Sequence, residues 1–200
     1  MNLIRLFDYV TPKATEKKAK AEKPGVTQLL LFYVLPLSLI PCVMMYLRLH
    51  HNYPRQFMDT LPGNRLLMIC AELFVLQVAV ILAMAWITQN LAEMVDKKPS
   101  FRDSLLIIAI ATTPLWLTSV FYVVPSLSFN VVVHGIAILA SIGLVYRGVK
   151  YIFSIRERGA ISTLTLAIVC TAGLGFAVVM IGSLISWEAI EQMQFAIKKS

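Results

Sequence analysis

"IAIATTPLWLTSVFYVVP", residues 108–125, decides the fold. Almost every side chain in it suits hydrocarbon, yet Thr112, Thr113 and Pro114 stand at its middle, where a bilayer-spanning helix is most regular. Proline has no N–H, so Pro114 deprives the carbonyl of Ile110 of its intrahelical donor. Hydrocarbon holds no water to replace that donor, and an unpaired backbone group there costs several kcal/mol. The hydroxyls of Thr112 and Thr113 can fold back onto the carbonyls of Ile108 and Ala109, one turn earlier. A neighbouring helix or a trapped water must serve the rest. The stretch therefore predicts a helix kinked at Pro114 whose Thr112–Trp116–Ser119 side packs against protein, because such gaps are tolerated only where neighbouring segments shield them.

The whole chain agrees with a membrane setting. Its 200 residues are 58% hydrophobic and 14% charged, with a mean hydropathy of +0.74. Soluble domains average about 45–50% apolar and about 25% charged residues. Five runs reach the roughly 20 apolar residues that a span needs: 26–47, 66–91, 104–123, 128–151 and 160–186. The predicted fold class is all-α, a five-helix transmembrane bundle with proline-kinked first and third spans. It divides into a basic N-terminal segment (1–25), a five-span membrane domain (26–187) and a short C-terminal tail (188–200).

The net charge of +7 sits in short segments between apolar runs. That is the pattern of orientation signals rather than of a nucleic-acid-binding surface, so no nucleic acid is expected as a partner. One side of the bundle collects Arg5, Lys13, Lys17, Lys18, Lys20 and Lys23, then Lys97, Lys98 and Arg102, then Arg147, Lys150, Arg156 and Arg158. The other collects only Arg48, Arg55, Arg65, Lys198 and Lys199. The N-terminus is expected in the cytoplasm and the C-terminus outside. The basic segment between Lys13 and Lys23 is drawn to anionic lipid headgroups, at about 1 kcal/mol per residue near the surface, with Glu16 and Glu22 opposing. The first ten residues, "MNLIRLFDYV", have two readings, an interfacial helix or a frayed tail.

The first span repeats the backbone problem. In "YVLPLSLIPC", Pro36 and Pro41 free the carbonyls of Phe32 and Leu37, and Ser38 is the only hydroxyl nearby. A break or strong kink is expected there. Two interrupted spans have two readings: a transport site near the midplane, or static kinks that shape the bundle. On the last span Ala167, Thr171, Gly175 and Gly182 recur at helical spacing. They form a close-packing face, either within the chain or against another copy.

Two ionisable residues lie clearly inside the spans, away from their basic ends, Glu72 on the second and His134 on the fourth. At ~1.5 Å per residue their depths agree to within a few Å. A carboxylate at this depth is costly and should face the interior. The stripe of Glu72, Ala79, Ala83, Trp86 and Asn90 is therefore expected to face other helices. One reading is a Glu72–His134 proton or cation relay. The other is a structural hydrogen bond, with Glu72 close enough to the interface to be wet.

Metal and enzyme chemistry find little support. His50 and His51 are adjacent in the first outer loop, and adjacent histidines do not readily share one ion. Cys42, Cys70 and Cys170 all fall in apolar runs without CxxC or Cys/His spacing, and read as buried, inert thiols. Ser183 and Ser186 lack an adjacent base, and there is no Gly-rich phosphate loop, HExxH or GxSxG. No catalytic residue, metal or cofactor is expected.

The stretch "KPSFRDSLLIIAIATTPLWLTSVFYVVPSL", followed by "ILASIGLVYRGVKYIFSIRERG", resembles the Yip-domain family of Ypt/Rab-interacting proteins, and most closely its bacterial inner-membrane branch of unknown function. The landmarks are Pro99, Thr113-Pro114, Pro125, Tyr146, Gly148, Glu157 and Gly159. Two positions depart from the family pattern: Ile110 stands where an aromatic is usual, and Val149 follows Gly148 where a proline is common. The resemblance implies five helices with a cytoplasmic N-terminus. For eukaryotic members it implies vesicle trafficking, with binding to prenylated small GTPases and to relatives. That role is not expected here, since only about 25 residues precede the first span. The expected function is a non-enzymatic, membrane-organising or partner-binding role, the partner being another membrane protein or a second copy. The alternative is a small proton- or cation-coupled transporter or channel using the kinked spans and Glu72.

Overall fold

The computed structural model describes residues 24–52 and 63–199, with side chains described for 24–47, 67–177 and 181. The expectations for the N-terminal basic segment, His50, His51, Gly182, Ser183 and Ser186 therefore concern residues or side chains outside this description. Among the described residues there are helices and turns and no strand. Five helical segments are long and apolar enough to cross a membrane: Val26–Leu47, Leu67–Val95, Phe101–Val123, Leu127–Ile152 and Arg158–Ala177. They are numbered here as spans one to five. The chain is all-α, as the apolar runs indicate.

Span three is the hub. In its most apolar 18-residue stretch 67% of residues are buried, against 33%, 17%, 11% and 22% in the corresponding stretches of spans one, two, four and five. Every residue from Ser104 to Ala111 is buried, over two full turns. A helix buried on all its faces must be enclosed by its neighbours. Spans one, two and four all pack directly on it, and span five closes the bundle against spans two and four. One core joins Leu29, Tyr33 and Val34 of span one, Ile81, Met84 and Ala85 of span two, the 105–111 run, Val145 and Val149 of span four, and Ile161, Leu164 and Ile168 of span five.

The turns are specified locally. After span two the chain passes through a 3-10 turn, Ala92–Val95, to Asp96 in the left-handed region (φ 53°). There Lys97 N–H reaches back to Ala92 O at 3.1 Å, closing the helix end as a Schellman-type turn. Ser100 then caps span three: its Oγ accepts from Asp103 N–H at 3.2 Å and donates to Asp103 Oδ2 at 2.9 Å. This Ser-x-x-Asp arrangement places a carboxylate at the positive end of the helix dipole. At the far end Ser126 caps span four, accepting from Phe129 N–H at 3.3 Å.

The tightest helix contact is not on span five. A Cβ on Gly148 would lie 2.9 Å from Ile107 Cγ2, whereas one on Gly175 would meet nothing within 4 Å. Among the described glycines, then, the close approach between helices is on span four, where Gly148 admits the bulk of Ile107. Span five instead buries Ile161, Leu164, Thr165 and Ile168, with Ala167, Thr171 and Gly175 half-buried at the edge of that face. Its helix continues past the span, from Arg158 to Lys199, through most of the expected tail.

Candidate functional site

The polar centre of the bundle is built from the two proline-containing spans. On span three, hydroxyls answer the backbone carbonyls on both sides of Pro114. Thr112 Oγ1 donates to Ile108 O at 2.7 Å and Thr113 Oγ1 to Ala109 O at 3.0 Å. These are the two carbonyls that sequence spacing indicates. Beyond the proline, Thr118 Oγ1 donates to Leu115 O at 2.8 Å and Ser119 Oγ to Trp116 O. The α-helix gives way after Thr118 to a 3-10 turn over Ser119–Val123. Of the Thr112–Trp116–Ser119 side expected to pack against protein, Trp116 and Ser119 are buried and Thr112 is half-buried.

Span one answers its prolines differently. Its winding changes from α-helix (Val26–Leu29) to π-helix (Leu30–Val34) and back to α-helix (Leu35–Asn52). Leu35 N–H donates to Leu30 O, five residues back. The helix thus hands its donors one carbonyl along just before Pro36, which has none to give. Ser38 Oγ, the one nearby hydroxyl, donates to Leu35 O at 3.1 Å. Pro36 itself is exposed on the outside of the bundle, beside Phe32, which is 62% exposed. Shielding by neighbouring segments therefore describes Pro114 and not Pro36. In the π stretch the Leu35 N–H goes to Leu30 O, so the backbone register shifts just before Pro36 and changes which carbonyl the proline leaves without a donor.

One hydrogen bond ties the two spans together. Tyr33, inside the π stretch, has its hydroxyl 2.6 Å from Thr113 Oγ1, and both residues are buried. Thr113 has a single hydroxyl proton and spends it on the Ala109 carbonyl, which can only accept. Tyr33 must therefore be the donor, and Thr113 receives it on a free lone pair. Nothing in the local sequence signals this pairing. An aromatic residue three positions before a proline in span one is the only hint, and it does not say which helix the ring meets.

The structure does not bring Glu72 and His134 together. The His134 ring stacks on Tyr122, with centroids 5.5 Å apart and planes 5° apart. Its Nδ1 lies 3.0 Å from Asn130 O, which only accepts, so Nδ1 carries the proton of a singly protonated ring. Nε2 of that ring is then the acceptor for Tyr122 Oη, at 3.1 Å, while Thr118 Oγ1, whose proton goes to Leu115 O, only lies nearby at 3.4 Å. Asn130 Nδ2 donates to Val124 O at 3.1 Å and Ser126 O at 2.9 Å. Together these residues clasp the hairpin between spans three and four. Glu72 is exposed, as are Ala79, Ala83, Trp86 and Asn90. The stripe expected to face other helices faces outward, and span two buries Ile81, Met84, Ala85, Thr88 and Ala92 instead. Glu72 and Asn90 lie toward opposite ends of the span, from where side chains reach toward the headgroups, and between them Ala79, Ala83 and Trp86 suit lipid as well as a protein interior.

Two of the three cysteines meet. Cys42 of span one and Cys70 of span two are buried in a small cluster of their own, apart from the main core, with Met45, Tyr46, Leu73 and Phe74 around them. Gln77 Nε2 donates to Cys42 Sγ at 3.5 Å. Cys170, expected to be buried, is exposed, because it lies on the outward face of span five. Among the described residues no three His, Cys, Asp or Glu side chains group as a metal site.

The family model of the Yip1 domain matches residues 9–188, nearly the whole chain. No curated protein and no solved structure matches.

Proposed function

Because the chain belongs to the Yip1-domain family, a family of multi-pass membrane proteins, we propose that it acts without catalysis, organising the membrane or binding partner proteins through its helices and its basic face. The observation that carries this reading is the sealed centre. Span three is enclosed along the 104–111 run, and the two proline-bearing spans are joined by the Tyr33–Thr113 bond. The residues that a transport path would use do not converge: Pro36 and Glu72 point out of the bundle, and His134 is engaged by Tyr122 and Asn130.

In this proposal the chain lies in a bacterial inner membrane with its N-terminus in the cytoplasm and its C-terminus outside. The basic segment before span one rests on anionic headgroups. The partner is a second copy or another integral membrane protein. Crosslinking and pull-down from native membranes test the reading directly, and a stable oligomer or one recurrent partner is the expected result. Recovery of the monomer alone, together with proton or cation flux in proteoliposomes that disappears in Glu72→Gln, would instead establish the transporter reading. Reporter tags at the two ends should report opposite compartments.

A further inference from the structure

We propose that Cys42, Cys70 and Met45 form a binding site for a soft monovalent metal ion, with Cu(I) as the natural representative. The sequence shows two unrelated thiols. The fold brings them from antiparallel spans into one sulfur-rich cluster, separate from the main core. Both are nearly sealed from solvent, with 5% and 7% of their surface exposed. Met45 follows Cys42 by three residues, so its thioether lies on the same side of span one, and it packs on the same cluster.

The chemistry of these donors selects the ion. Two thiols and a thioether are soft ligands, which favour Cu(I) over the hard or borderline ions that prefer carboxylate, water or imidazole. Among the described residues no group of three or more His, Cys, Asp or Glu side chains forms, so the thioether of Met45 is the third donor beside the two thiols. Gln77 supplies the supporting contact, since its amide Nε2 donates to Cys42 Sγ at 3.5 Å. A donor aimed at a ligand sulfur stabilises the charge that metal binding creates and fixes its orientation. The Cys42 S–H proton now points to Ser38 O at 3.7 Å. On binding, each thiol releases its proton and each sulfur forms a bond to the ion. One Cu⁺ thus displaces two H⁺ and leaves a bis-thiolate with one net negative charge. No electron is transferred, so no oxidant is required.

The test uses the full chain purified in detergent, kept reduced and titrated anaerobically with Cu(I) against a chromogenic chelator. Ag(I) serves as a second probe that does not change oxidation state. One ion per chain is expected, with an all-sulfur coordination shell by X-ray absorption. Cys42→Ala and Cys70→Ala should each abolish stoichiometric binding, and Cys170→Ala should retain it. Met45→Leu should weaken binding, and Gln77→Leu should weaken it about tenfold or more, as losses of supporting contacts do. The absorption measurement on the unmutated protein does not depend on any variant folding. Absence of stoichiometric binding, an oxygen- or nitrogen-containing shell, or a site that survives Cys42→Ala would each overturn the assignment.

Discussion

Pro114 and Pro36 pose one chemical problem at two places, and the chain answers them by different means. Around Pro114 the neighbours are protein, and four hydroxyl side chains donate to nearby carbonyls while the helix keeps its α register to Thr118. Around Pro36 the ring faces outward, only Ser38 offers a hydroxyl, and the backbone rewinds into a π stretch over Leu30–Val34. A buried break can draw on side chains because other helices hold them in place. An exposed break must be repaired within the helix, since lipid tails donate nothing. The two solutions are joined at Tyr33, which belongs to the rewound stretch and donates to Thr113, the buried threonine beside the half-buried Pro114.

The comparison is broken most severely by removing that join. Tyr33 is 1% exposed and ranks among the largest fully buried side chains. Tyr33→Ala deletes its ring from the contact between spans one and three, and should cost about 3–5 kcal/mol, as truncations of buried aromatics do. Reversible unfolding in mixed micelles measures it. A loss near zero would mean that spans one and three are held together elsewhere and that the two breaks are independent.

The hydrogen bond itself is a smaller quantity, and a double-mutant cycle isolates it. Tyr33→Phe and Thr113→Val each remove one partner, and the double variant removes both. Their coupling should be on the order of 0.6–1.7 kcal/mol, the average and maximum for side-chain bonds between membrane helices. Thr113→Val should be the worse single change. It leaves the Tyr33 hydroxyl buried without an acceptor, whereas Tyr33→Phe leaves Thr113 still bonded to Ala109 O. Equal single losses would contradict the assignment of Tyr33 as donor.

How much of this was legible in the sequence follows the same division. The five spans were readable because apolar run length is a direct consequence of bilayer thickness, and each predicted run overlaps one of the five observed spans. The Thr112 and Thr113 bonds were readable because they reach only one turn back. The π stretch was not, since no composition signal separates it from α-helix, nor was a Tyr33–Thr113 contact spanning 80 residues. The outward face of span two was misread for a related reason. When lipid and protein interior are both apolar, a stripe such as Ala79, Ala83 and Trp86 does not reveal which of them it meets. The meeting of Cys42 with Cys70 was equally hidden, because it depends on the register of two antiparallel helices.

A finer change asks whether Pro36 causes the rewinding that presents Tyr33. Pro36→Ala restores an N–H, so the α register can continue through residue 36 and the π stretch loses its purpose. Regular winding would turn Tyr33 away from Thr113. The energy of Pro36→Ala should then depend on Thr113, with a coupling no larger than that of the Tyr33–Thr113 pair itself, below about 1.7 kcal/mol. If the effects of Pro36→Ala and Thr113→Val simply add, the π stretch is set by something other than the proline and the link between the breaks is only spatial.

The smallest effect is expected at Thr112, and it separates two uses of a hydroxyl. Thr112 is half-buried and bonds only backward, to Ile108 O at 2.7 Å, while Thr113 bonds backward and also accepts from another helix. In an α-helix the Ile108 carbonyl already receives the backbone N–H of residue 112, so the Thr112 hydroxyl is a second donor rather than the only one. Thr112→Val keeps the shape and removes that second donor, at a cost of about 0.5 kcal/mol, the lower end for a hydrogen bond. Measured beside Thr113→Val, it asks whether a break is stabilised chiefly by local back-bonding or by contact between helices. A loss at Thr112 as large as that at Thr113 would shift the weight to back-bonding. The half-buried Pro114 and the exposed Pro36 would then differ less than their surroundings imply, since each would depend mainly on its own helix.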